Sequence, residues 1–121
     1  SEVFIGGIVS YSNDIKMDEL EVSPIDIEKY GAVSEEVVKQ MAKGVREKYD
    51  VDISVSTSGI AGPGGGSTEK PVGTIAVGVS FKSGSFSKIY QLRNEGRKKT
   101  KNRFVACALL SLLNFIEKID Q

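Results

Sequence analysis

At 121 residues and 13.1 kDa the chain has the length of one domain, residues 1–121, with enough surface to bury a true core. Sixteen basic residues balance sixteen acidic ones, which excludes a nucleic-acid binder driven by bulk positive charge and an acidic solvating tail. No histidine occurs. Ser-His and Cys-His catalysis, and nearly all zinc or haem sites made from this chain alone, are excluded with it, so a hydrolase built here must activate its nucleophile with lysine, tyrosine, a carboxylate or an amine. No apolar run is long enough to span a bilayer and no signal peptide opens the chain. With Cys107 as the single cysteine, these features point to a cytoplasmic protein with no membrane partner.

Residues 3 to 11, Val-Phe-Ile-Gly-Gly-Ile-Val-Ser-Tyr, read as a strand, with Gly6-Gly7 marking a close backbone approach or a bulge. Asn13 is placed to cap a short helix through Leu20. Ser23-Pro24 starts another, ended by Gly31. Ser34 caps a stronger helix whose Val37, Val38, Met41, Ala42, Val45 and Tyr49 form a core-facing stripe. A strand over 51–57 alternates apolar and polar residues, and a long loop follows from Ser58 to Pro71. Strands over 72–81 and 86–93 form a hairpin around Lys82-Ser83-Gly84-Ser85. The last helix, about 98–119, turns Phe104, Ala108, Leu112, Phe115 and Ile119 inward, with Cys107 as a buried, inert thiol. The expected fold is α/β, with a mixed sheet of about four strands flanked by helices.

Three features could carry chemistry. The loop after Ser58 holds Gly59, Gly62, Gly64, Gly65 and Gly66. Such glycines either let backbone N–H groups approach an anion or merely connect two strands, and the spacing matches neither a P-loop nor a dinucleotide fingerprint. Arg93, Arg97, Lys98, Lys99, Lys101 and Arg103 crowd the start of the last helix. There they serve an anionic ligand or form a solvated face. Ser1, Tyr11 and Lys16 supply a hydroxyl nucleophile and groups able to take its proton, in a chain that lacks imidazole. On spacing alone Tyr11 reads as a strand-end aromatic, and Lys16 as an exposed helix residue.

The stretches Phe4 to Lys16 (FIGGIVSYSNDIK), Gly31 to Val37 (GAVSEEV), Ser58 to Gly66 (SGIAGPGGG) and Glu69 to Thr74 (EKPVGT) occur in one order across almost the whole chain. In them the sequence resembles the CinA C-terminal domain family, whose enzymatic members are nicotinamide-nucleotide amidases. The resemblance implies a three-layer α/β fold and hydrolysis of the carboxamide of nicotinamide mononucleotide to nicotinate mononucleotide and ammonia. It implies Ser1 as nucleophile, Tyr11 and Lys16 as its activators, and Ser58 and Arg97 as further site residues. The five loop glycines would position a small-molecule nucleotide, with no cofactor, in a homodimer. The resemblance also leads one to expect an N-terminal helix and strand carrying Glu-Ser-Cys-Thr-Gly-Gly, none of which precedes Ser1 in this sequence. Glu95-Gly96-Arg97 stands where Gly-Asp-Arg is usual, so Arg97 loses its acidic neighbour. The alternative reading is a non-catalytic module binding a nucleotide phosphate, or an inactive fragment of the amidase.

Overall fold

The computed structural model describes residues 3–120. Three serines set where the first helices begin. Ser12, Ser23 and Ser34 stand in extended backbone, and each side chain accepts the N–H three residues ahead, from Ile15, Asp26 and Val37. That satisfies a donor the first helical turn cannot satisfy itself. The helices so started are α1 (Asn13–Leu20), α2 (Pro24–Tyr30) and α3 (Glu35–Tyr49). The Ser34 hydroxyl also donates to the Gly31 carbonyl at 2.7 Å and is buried. Ser34→Ala is therefore expected to cost about 1–2 kcal/mol, read as a lower denaturant midpoint with an unchanged slope.

Strands β1 (Ile53–Gly59), β2 (Thr74–Phe81) and β3 (Gly84–Gln91) form an antiparallel sheet in that order, followed by α4 (Arg97–Asp120). Every residue of the central strand β2 is buried, because helices cover both of its faces. On one face the side chains are small. Ser54 and Ser56 donate to the α3 carbonyls of Ala42 and Val38, each at 2.5 Å. A Cβ on Gly78 would stand 2.3 Å from the Val38 oxygen. Hydroxyls and a bare glycine thus let the α3 backbone lie directly on the sheet, where Val37, Val38 and Met41 join Leu20, Val22 and Ala76 in one apolar cluster. On the opposite face Val79 and Phe81 meet Phe115, Leu112 and Ile116 of α4, and Phe86 stacks on Phe115 at 5.3 Å. The result is the expected three-layer α/β arrangement.

Two expectations about the sheet need correction. Residues 3–11 are not a strand, and the sheet has three strands, all antiparallel, in place of a mixed set of about four. High β-propensity makes a strand only where a ladder partner exists, and the described sheet is built from β1, β2 and β3 without this segment. Its Val3, Phe4, Ile5, Val9 and Tyr11 are exposed, while Ile8 packs on the α3 cluster. Gly6 and Gly7 have nothing within 4 Å of a Cβ position, so they mark neither close approach nor bulge. Cys107 is half-buried, and burial raises its thiol pKa above 9.0 despite the nearby charge of Lys88. Among the described residues no helix is long and apolar enough to cross a membrane.

Candidate functional site

Lys16 is the feature most at odds with a surface-helix reading. It lies on α1, yet only 5% of the residue is exposed, and its Nζ donates to the Ser10 carbonyl at 2.5 Å. Burial holds its pKa below the ordinary 10.5, because a charged ammonium loses hydration there. One turn further along, α1 meets α3 closely. Gly44, within α3, has no Cβ, and one placed there would stand 2.0 Å from the Leu20 oxygen at the end of α1. The chain then turns on Glu21, at φ 57°, and Val22 N–H returns to the Lys16 carbonyl. Lys16 is thus held through both its backbone and its amine.

The other expected site residues are spread over two further places. Ser1 lies outside the described residues. Tyr11 is 93% exposed, and no hydrogen bond among the described residues joins it to Lys16. Ser58 is half-buried opposite Ala76. By strand alternation it shares the α3 side with Ser54 and Ser56. It heads the glycine loop, whose base is closed by Ile60 N–H to the Thr74 carbonyl and Gly73 N–H to the Ile60 carbonyl.

The five loop glycines divide by function. A Cβ on Gly59 would meet the Phe104 ring at 2.6 Å, one on Gly62 the Val72 side chain at 2.7 Å, and one on Gly66 the Val72 nitrogen at 2.8 Å. These three serve packing. Gly64 has no neighbour within 4 Å, and Gly65 only Ile60 at 3.6 Å, which leaves those two peptide units open to a ligand. The loop also carries a cis peptide bond between Gly62 and Pro63.

Arg97 joins this loop to α4. It opens the helix, and its Nη1 donates to the Gly62 carbonyl at 2.8 Å. Beside it Lys98, Lys101 and Asn102 line an open depression of about 390 Å³. The positive end of the helix dipole and free guanidinium donors make this place attractive to an anion. The run of basic residues was the sequence signal for it. The structure therefore brings Arg97 to the glycine loop and heads that loop with Ser58, while Lys16 is held separately against Ser10. Among the described residues no group of three or more His, Cys, Asp or Glu is placed to hold a metal ion.

One apolar feature escaped the sequence reading. Thr57, Phe104, Val105, Ala108 and Leu109, with Lys101, line a groove of about 310 Å³ between β1 and α4. Its signal was available, since α4 carries more leucines than a single buried stripe requires.

A small antiparallel sheet between α3 and α4, a buried lysine on α1 and an arginine tied to a glycine-rich loop define an α/β domain of recognised type. The chain belongs to the CinA C-terminal domain family, whose model matches residues 1–116. It is 44% identical over 123 residues to a CinA-like protein of Chlorobium limicola, covering 98% of this chain and 29% of that protein. To a CinA-like protein of Chlorobaculum tepidum it is 57% identical over 82 residues, 68% of this chain and 19% of the relative. The chain thus spans less than a third of these relatives. Among solved structures, the competence/damage inducible protein CihA from Agrobacterium tumefaciens superposes with a TM-score of 0.81 at 35% identity, over 86% of this chain and 64% of that one. A CinA superfamily protein from Escherichia coli gives 0.82 at 32%, over 88% and 62%.

Proposed function

We propose that this chain is an amidohydrolase that deamidates nicotinamide mononucleotide, with Lys16 as the base. The observation that carries the reading is the desolvated amine of Lys16, buried on α1 and pushed below its ordinary pKa. Without histidine in the chain, a lysine whose neutral form is favoured is the group best suited to take a proton from a hydroxyl.

The Lys16 Nζ takes the Ser1 hydroxyl proton, and Ser1 Oγ attacks the carboxamide carbon. The tetrahedral oxyanion is stabilised by backbone N–H groups. The C–N bond then breaks, with the proton passed from Lys16 to the departing nitrogen, so that ammonia leaves and an acyl-Ser1 ester remains. Water attacks that ester, Lys16 again takes the proton, and nicotinate mononucleotide departs as Ser1 recovers its hydroxyl proton. Tyr11, in solvent and unbonded to Lys16, favours the direct route over a relay. Ser58, at the head of the glycine loop, offers its hydroxyl to the substrate. Arg97, with the open Gly64 and Gly65 backbone, holds the 5′-phosphate.

The second reading, a module that binds a nucleotide phosphate without turnover, is favoured by the basic depression at α4, which needs no nucleophile. Ammonia release from nicotinamide mononucleotide, run beside a binding titration, separates the two. Turnover supports the amidase, and binding without turnover supports the module. On the amidase reading Arg97→Ala is expected to raise KM about ten- to a hundredfold with a smaller change in kcat, checked by steady-state kinetics.

A further inference from the structure

The glycine loop has to be held from outside itself. Residues 63–69 are exposed, and glycine gives up more conformational freedom on ordering than any other residue. Gly64 and Gly65 therefore present their open peptide units in one place only if both limbs leading to them are fixed. Arg97 fixes the first limb, through the Gly62 carbonyl. The second limb closes into a turn, in which Ser67 N–H donates to the Lys70 carbonyl at 2.9 Å and Lys70 N–H to the Ser67 hydroxyl at 3.0 Å. Those two bonds shape the turn without anchoring it. Gln91 Nε2 reaches the Glu69 carbonyl only at 3.4 Å, which is a weak tie.

Lys70 supplies the anchor. Half-buried behind the exposed part of the loop, its Nζ donates to the Tyr30 carbonyl at the end of α2. The last carbonyls of a helix have no partner within it, and they lie at the negative end of its dipole, so a lysine there is well matched. Gly31, at φ 82°, leaves room for the amine, since a Cβ on it would stand 3.2 Å from the Lys70 nitrogen. α2 is itself seated on α3. Gln40 accepts from Ser23 N–H and donates to Asp26 Oδ2, each at 2.7 Å. The two limbs are thus tied to opposite layers of the fold, one to α4 and the other to the side that carries Lys16.

We propose that Lys70 is a positioning residue which, through the Tyr30 carbonyl, holds the loop ready for a phosphate and so makes the chain favour a mononucleotide over the corresponding nucleoside. Lys70 does not touch the substrate. Its role rests on the loop holding the 5′-phosphate, as in the amidase reading. A loop fixed in advance loses less freedom when the phosphate arrives, and the affinity gained is confined to ligands that carry one.

Isothermal titration calorimetry on the whole chain tests this, with circular dichroism confirming that each variant is folded. The probes are nicotinate mononucleotide, which the amidase reaction leaves intact, and nicotinate riboside, which lacks the phosphate. The wild type is expected to bind the mononucleotide more tightly. Lys70→Met keeps the stem and loses the donor, and is expected to raise the mononucleotide Kd about tenfold with the riboside Kd unchanged. Lys70→Arg, able to donate to the same carbonyl, restores the mononucleotide Kd. A general loosening of the fold would weaken both probes, so an equal loss for both overturns the proposal. An unchanged mononucleotide Kd in Lys70→Met overturns it too, as does an arginine variant as weak as the methionine one or a wild type that binds the two probes alike. Ammonia release from nicotinamide mononucleotide is read separately. A wild type that binds selectively through Lys70 but releases no ammonia retires the amidase reading and keeps this role. Turnover by the wild type, with an unchanged Kd in Lys70→Met, does the reverse.

Discussion

Lys16→Met is expected to lower kcat/KM for nicotinamide mononucleotide by about a thousandfold while leaving the protein folded. A positioned base contributes roughly a hundred- to ten-thousandfold to such proton transfers, and with no histidine in the sequence no imidazole can stand in. Methionine has nearly the length of the lysine stem and suits a residue that is 5% exposed. The substitution gives up one hydrogen bond, to Ser10, and removes a desolvated ammonium, so stability should change little. Lys16→Arg should be as inactive as the methionine variant, because a guanidinium does not give up its proton in proteins. Steady-state ammonia release together with a thermal melt checks both. A Lys16→Met protein with near-normal turnover would remove the base from the scheme.

The largest structural effect is expected at Gly44. Glycine inside a helix costs about 1 kcal/mol relative to alanine, so on propensity alone Gly44→Ala would stabilise α3. Packing decides otherwise. The new methyl would lie 2.0 Å from the Leu20 oxygen and 2.8 Å from its carbon, and those are backbone atoms with no rotamer to swing away. α1 has to lift from α3, which we expect to cost about 2–3 kcal/mol net and to lower Tm by about 10 °C. Because α1 carries Lys16, the shift also hydrates the amine. Its pKa should return towards 10.5, and activity near neutral pH should fall with it. A melt and a pH profile on Gly44→Ala read the two effects separately. A variant more stable than the parent would show that α1 does not press on α3 at this point.

The helices were legible because their signals are local. Ser23 and Ser34 before the second and third, and the spacing of Val37, Val38, Met41 and Ala42, needed no tertiary information, while the cap of the first was read one residue late, at Asn13 in place of Ser12. The hairpin around Lys82-Ser83 was legible for the same reason, and the β3 edge of β2 follows from it. The strand expected over residues 3–11 failed because strand formation is a property of a pair. Val-Phe-Ile and Ile-Val describe side chains suited to a sheet, but nothing in them states whether a neighbouring backbone offers its N–H and carbonyl groups. The buried state of Lys16 was equally hidden. Its amine bonds to the Ser10 carbonyl, and one turn on, Gly44 lets α3 touch the end of α1 at Leu20, contacts that leave no periodic trace. In the glycine loop the composition was visible but not its division, with Gly59, Gly62 and Gly66 packed and Gly64 and Gly65 open. Only the positions of Phe104 and Val72 separate the two groups.

The same amine ties stability to pH. Its folded pKa lies below the 10.5 of the ordinary lysine. Between the two values the unfolded chain binds more protons at this site, so its contribution to stability is fully present above the unfolded value and is lost as pH falls through the folded one. The proton linkage that governs stability also sets the fraction of enzyme able to act, since only neutral Lys16 can accept a proton. The pH dependence of kcat/KM for ammonia release from nicotinamide mononucleotide tests that connection most directly. The account predicts turnover that rises tenfold per pH unit on its acid limb and levels off below 10.5, at the Lys16 pKa, with this limb missing from any residual activity of Lys16→Met. A rate still climbing at 10.5, or an unchanged limb in the methionine variant, would contradict it.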